Sequence, residues 1–130
     1  MTAGKPISVR SKTHFTELVN SDAVIVTVIM FTATWCRPCQ SCYPELNRLA
    51  QVYKDDVCFA TVDVDQNEEI VQMCKVRAFP TWMFIYNGKQ IDFSIGAGMD
   101  LVEDKLRYHL KDIKKKEKDE DLKKEATEEK

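Results

Sequence analysis

Three thiols crowd into one short stretch, Thr34-Trp35-Cys36-Arg37-Pro38-Cys39-Gln40-Ser41-Cys42. Cysteines three positions apart can close a small disulfide ring, attack another disulfide as a thiolate, or ligate a soft metal. The stretch follows the apolar run 23–31 (AVIVTVIMF) and precedes a helical period, so it sits where a strand hands over to a helix. Unpaired backbone N–H groups at a helix start favour a thiolate, which points to Cys36 as the reactive, exposed sulfur. Cys39, one turn further in, is expected to be shielded. Attack by Cys36 would give a mixed disulfide, and Cys39 would resolve it, leaving Cys36–Cys39 oxidised. Two neighbours would tune the pair. Arg37 adds a cation that favours the thiolate and makes the couple more oxidising. Pro38, at the start of the helix, leaves no N–H to satisfy.

C-x-x-C is weak evidence on its own, since five cysteines in a chain of this length produce about 0.2 such pairs by chance. Cys42 adds ambiguity. At i+3 from Cys39 its Cβ would stand about 5–6 Å away, beyond the roughly 3.5–4.5 Å of a relaxed disulfide. It reads as a small, partly buried residue, with an auxiliary or regulatory thiol as the alternative. The C-x2-C-x2-C spacing resembles the opening of an iron–sulfur run, but no fourth cysteine follows three residues later. Cys58 falls mid-strand and Cys74 on an inward helix face, so both read as core and no metal is expected. His14 and His109 lie far from the cysteines in sequence and support no rival base. Asp63 and Asp65 end a strand and read as turn residues, with Asp63 a remote candidate for a proton acceptor.

The elements that would hold this pair follow from periodicity. Residues 7–9 make at most an edge strand. Ser11 caps a helix over 12–20, with Phe15, Leu18 and Val19 on one face. The β-branched run 23–31 reads as a strand covered on both faces. Residues 36–53 read as one helix, kinked but not ended by Pro44. A second buried strand spans 57–62. A short helix over 68–74, capped by Asn67, follows. Strands 81–86 and 90–95 meet at Asn87-Gly88, a strong hairpin signal. The last helix covers 100–113, with Leu101, Val102, Leu106, His109, Leu110 and Ile113 along one stripe. The order βαβαβαββα argues a mixed sheet between helices.

Residues 114–130 change character, with lysines and acids in equal number and a single Leu. They read as a frayed helical extension or a disordered end, attached to one domain over 1–113. Asp119–Lys123 and Glu120–Lys124 are correctly oriented helix pairs. With 44% hydrophobic and 31% charged residues the composition is that of a globular domain, neither disordered nor membrane-embedded. A net charge of −2 gives no overall pull toward nucleic acid or anionic lipid. Residues 1–10 carry no apolar signal core, and an odd cysteine count argues against a disulfide scaffold. A cytoplasmic protein is expected, with the nucleus as the alternative.

Ala33-Thr34-Trp35-Cys36-Arg37-Pro38-Cys39 closely resembles the thioredoxin active site W-C-G-P-C, with Arg in place of Gly. The resemblance continues at Pro44, at Val62-Asp63-Val64-Asp65, at Ala78-Phe79-Pro80-Thr81 and at Gly96-Ala97, in order, across residues 7–113. It implies an α/β thioredoxin fold, a central mixed sheet of four to five strands flanked by about four helices. It also implies dithiol–disulfide exchange with protein substrates and no bound cofactor. Electrons would come from NADPH through a thioredoxin reductase, to a protein expected to be a monomer. Trp35, Phe79, Pro80, Thr81, Gly96 and Ala97 resemble the apolar rim on which substrates dock. One position departs from the family: Met30 stands where thioredoxins usually carry a buried Asp. A thioether cannot take a proton from the resolving cysteine, so exchange is expected to be slower. A thioredoxin-fold binding module or redox sensor with weak turnover is therefore the alternative function, ahead of a cysteine-ligated metal protein.

Overall fold

The computed structural model describes residues 4–128; of the segments expected at 1–113 and 114–130, residues 1–3 and 129–130 lie outside it. The elements run β1 (Ile7–Ser8), α1 (Lys12–Val19), β2 (Val26–Thr32), α2 (Arg37–Ser41), α3 (Tyr43–Val52), β3 (Val57–Asp63), α4 (Glu68–Met73), β4 (Thr81–Tyr86), β5 (Lys89–Ile95) and α5 (Met99–Glu128). The five strands form one sheet in the order β1-β3-β2-β4-β5. β2 is parallel to β3 and antiparallel to β4, and every one of its residues is buried. A strand with a neighbour on each side and cover on both faces has no polar side to present, which is why its sequence is continuous rather than alternating.

Register fixes which side chains share a face. Met30 lies opposite Thr61 on β3 and Trp82 on β4, Val28 opposite Phe84, and Phe84 opposite Asp92 on β5. Asp92 bonds to His109 and Lys105 of α5, so the Met30 face is the one that α5 covers. α3 joins α5 there, through Arg48 and Tyr53, which bond Glu103 at 2.7 and 2.8 Å. α1 and α4 pair with each other, Lys12 bridging to Glu69. Val102, Leu106, Leu110 and Ile113 bury the α5 stripe, while Leu101, expected on it, is 52% exposed.

Local chemistry explains several boundaries. Ser11 Oγ accepts from His14 N at 3.1 Å, capping α1. The Asn87-Gly88 turn has φ of 55° and 77°, the left-handed pair that a tight hairpin requires. Asn67 stands at the start of α4 but does not cap it with its side chain; its Nδ2 donates to Asp63 O instead. The single kinked helix expected over 36–53 is two helices, broken at Cys42. Pro44 has no N–H to give Gln40, and its ring crowds that carbonyl, so the ladder restarts with Leu46 N donating to Cys42 O at 2.8 Å. The last helix extends past Ile113 to Glu128. Residues 118–127 are exposed, and neither Asp119–Lys123 nor Glu120–Lys124 closes to an ion pair among the described residues.

Candidate active site

β2 ends at Thr32, and four residues later Cys36 stands at the N-cap of α2 in extended backbone conformation. Cys36 and Cys39 are joined by a disulfide, with their Cα atoms 5.3 Å apart. The backbone N–H of Cys39 points at Cys36 Sγ, 3.3 Å away. On reduction that N–H is already placed to stabilise a thiolate on Cys36, a hydrogen bond that favours the charged form. Pro38 sits in the first turn, where its missing N–H leaves nothing unpaired. Arg37 is exposed and makes no ion pair among the described residues, so its charge is free to act on the neighbouring sulfur.

Access to the pair is narrower than its sequence position implies. Cys36 is 6% exposed and Cys39 fully buried, so attack from outside can reach only Cys36. Trp35 and Phe79 close around it, edge to face, with ring centroids 6.0 Å apart. The Phe79–Pro80 peptide bond is cis, and Phe79 O lies 3.6 Å from Cys36 Sγ. Thr81 Oγ1 ties the loop by donating to Ala78 O at 2.7 Å. Gly96 N donates to Pro80 O at 2.8 Å, and Gly96 O accepts from Trp82 Nε1. Gly96 has φ of +101°, a conformation that a side chain resists, although there is open space where a Cβ would go. Trp35, Phe79, Pro80, Thr81 and Gly96, from three separate stretches, thus meet around the disulfide, with exposed Ala97 next in the chain after Gly96.

The surrounding residues sort differently. Met30 is fully buried, among Thr61 and Trp82. Asp63 is engaged in its turn, Oδ1 accepting from Asp65 N at 3.0 Å. Cys42 is 1% exposed and its thiol faces Pro38 O at 3.2 Å, within its own helical turn. Burial pushes the Cys42 thiol up, more than its bond with Ser41 lowers it. Cys58 and Cys74, expected in the core, are only half-buried, and burial still raises both thiols. Among the described residues no group of three or more His, Cys, Asp or Glu is placed to hold a metal ion.

Two features escaped sequence reasoning. Asp65 accepts a hydrogen bond from Trp35 Nε1 at 2.9 Å, a contact between residues 30 positions apart that no local spacing signals. Thr32 Oγ1 is buried with no hydrogen-bond partner among the described residues.

The profile of the Thioredoxin family matches residues 6–112. Thioredoxin from Equus caballus is 35% identical over 95 residues, covering 73% of this chain and 90% of its own. The crystal structure of thioredoxin from Trypanosoma brucei brucei superposes with a TM-score of 0.79 at 35% identity, covering 84% of this chain and 94% of that one. A chain from structural work on thiol resolving in yeast mitochondrial 1-Cys peroxiredoxin via glutathione/thioredoxin systems gives a TM-score of 0.73 at 32% identity, over 82% of this chain and 98% of its own. Family, fold and the joined C-x-x-C pair agree: the chain belongs to the thioredoxin family and is a thiol–disulfide oxidoreductase.

Proposed function

We propose that the protein reduces disulfides of other proteins, with Cys36 as attacking thiolate and Cys39 as resolving thiol. The observation that carries this is the asymmetry of the pair: Cys36 retains a solvent aperture and a backbone N–H donor, and Cys39 has no exposure. Cys36 attacks one sulfur of the substrate disulfide, forming a mixed disulfide and expelling the other as a thiolate. Cys39, losing its proton, then attacks Cys36 Sγ. The Cys36–Cys39 bond forms, and the second substrate thiolate leaves. Two electrons pass to the substrate, and two must be returned to regenerate the dithiol. NADPH through a thioredoxin reductase is the source we assign, on the family's likeness.

Trp35, Phe79, Pro80, Thr81, Gly96 and Ala97 serve as the docking rim, the backbone beside Pro80 pairing with an extended substrate chain. Arg37 and Pro38 tune the couple. We assign the protein to a reducing compartment, the cytoplasm, from an odd number of cysteines with three of them clustered in the sequence. We read the working unit as a monomer.

The deciding experiment is reduction of a protein disulfide by the dithiol in the presence of dithiothreitol, then of NADPH and a reductase. Wild type should turn over, Cys36→Ser should not, and Cys39→Ser should accumulate a mixed disulfide visible by mass spectrometry. Unchanged turnover in Cys36→Ser would sink the assignment. The burial of Met30 favours a second reading, a sensor or binding module with slow exchange. Turnover no faster than dithiothreitol alone, with partner complexes that survive loss of both cysteines, would select it.

A further inference from the structure

Between the end of α4 and the β4–β5 hairpin lies an open groove of about 290 Å³. Cys74, Val76, Met83, Phe93 and Ile95 give it apolar walls, and Lys75 and Arg77 stand among the residues that line it. Phe93 and Ile95 are 52% and 60% exposed, while Ser94 between them is buried. The two large side chains therefore share the face of β5 opposite α5, and no helix of this fold covers them. Exposed apolar side chains that line a groove mark an interaction site more often than scattered ones do.

The groove joins the active-site rim directly. Ala78 and Thr81, also in its lining, flank the cis Phe79–Pro80 pair, whose Phe79 O lies 3.6 Å from Cys36 Sγ. Ile95 is followed immediately by Gly96, which bonds Pro80. A polypeptide tethered to Cys36 and laid over Pro80 thus enters the groove within a few residues.

Its charge is one-sided. Lys75 and Arg77 are both exposed, neither forms an ion pair among the described residues, and no Asp or Glu lines the groove. Two unpaired cations at one apolar groove are complementary to an anionic, apolar partner, whereas a two-fold pairing of this face with its own copy would set Lys75 and Arg77 against the same cations.

We propose that this groove is a specificity site for the substrate protein, receiving a segment that carries a large apolar residue and an acidic residue a few positions along the chain from the attacked cysteine. The proposal rests on Cys36 being the attacking thiolate, since the tether to Cys36 is what delivers the segment. Contacts there act on kcat/KM, because they are made only by substrates long enough to reach the groove.

The test uses two peptides, each activated at its single cysteine as a neutral 2-thiopyridyl disulfide, and 2,2′-dithiodipyridine as a reference with no peptide. One peptide places Leu and Glu three and four residues from the cysteine, the other Ser and Lys at the same positions. Wild type should prefer the Leu/Glu peptide by about tenfold in kcat/KM. In Phe93→Ser/Arg77→Glu that preference should fall to about twofold or less, with the rate on dithiodipyridine kept. Both side chains are solvent-exposed, and the retained reference rate shows that the variant has folded. Equal kcat/KM on both peptides in wild type, with dithiodipyridine still reduced, overturns the groove and leaves the dithiol assignment standing. Failure of wild type on all three disulfides overturns the dithiol assignment itself. A concentration-dependent dimer abolished by Phe93→Ser, with no peptide preference, assigns the face to a second copy and also overturns the proposal.

Discussion

Trp35 Nε1 donates to Asp65 Oδ2 at 2.9 Å, and this bond anchors an indole that is otherwise 64% exposed. Trp35 comes from the loop after β2 and Asp65 from the loop after β3, so the bond ties two neighbouring parallel strands together at the mouth of the site. Phe79 leans on the same ring. Asp65→Ala frees the indole to rotate, and its N–H then bonds water, so stability changes by only about 0.5–1 kcal/mol. The rim loses its shape, and kcat/KM on a protein disulfide should fall about two- to tenfold. Asp65→Asn keeps an accepting oxygen and should stay near wild type. Acrylamide quenching of tryptophan fluorescence alongside the kinetics reads both effects.

Asp92 ties β5 to α5, accepting from His109 Nε2 at 2.8 Å, from Lys105 Nζ at 3.3 Å and from Phe93 N at 2.8 Å. Burial works to raise its pKa, but the bonds from His109, Phe93 and Lys105 together outweigh that and hold it below the usual 3.8. A carboxyl depressed on folding adds stability that is fully present above the unfolded value and is lost as pH falls through the folded one. Asp92→Asn should therefore destabilise by about 1–2 kcal/mol at neutral pH. The gap to wild type should close in the window below pH 3.8, which urea unfolding across that range would show. A gap independent of pH would mean that packing, not charge, holds Asp92.

Legibility from sequence followed the range of each signal. β2 declared itself through an unbroken apolar run, the hairpin through Asn87-Gly88, and the α1 cap through Ser11, because each depends on residues adjacent in the chain. The C-x-x-C pair was legible for the same reason. Pro44 was located correctly but weighed too lightly: removing one bond while crowding the Gln40 carbonyl splits the helix at Cys42 instead of bending it. Asn67 missed its cap because its amide found Asp63 O, a choice set by the loop's tertiary path. The Trp35–Asp65 bond and the Phe93–Ile95 groove join residues from separate strands and loops. They exist only once the sheet order is known.

The extension of α5 carries little of the fold. Its links back to the domain are Lys114 to Asp56 at 2.8 Å and Tyr86 to Glu117 at 3.2 Å, and residues 118–127 are exposed. A chain ending at Glu117 keeps both contacts. Its unfolding midpoint should move by less than about 2 °C, since exposed helix pairs contribute only tenths of a kcal/mol. Its far-UV helical signal should drop, and its activity on a protein disulfide should be unchanged. A large loss of stability would show that the extension folds back on the domain.

Met30 sets the sharpest test, because it stands fully buried where the family usually carries a carboxylate. Met30→Asp introduces an acid with no exposure, and burial pushes its pKa above the ordinary carboxylate value. The unfolded chain ionises near pH 4 while the folded one stays protonated, so the penalty grows as pH rises from about 4 to the new folded pKa. The variant should be less stable than wild type by about 2–5 kcal/mol at neutral pH, with a smaller deficit near pH 4. Kinetically the acid can accept the Cys39 proton only once ionised, so resolution of a preformed Cys36 mixed disulfide should accelerate by about tenfold or more as pH rises past its folded pKa. Met30→Asn has similar size and polarity but cannot take the proton, so it should share the destabilisation without the acceleration. Single-turnover release of substrate thiol, followed from pH 5 to 9 in the three proteins, separates the outcomes. Equal resolution rates in all three would show that water already removes the Cys39 proton in wild type, and that the missing acid does not limit exchange.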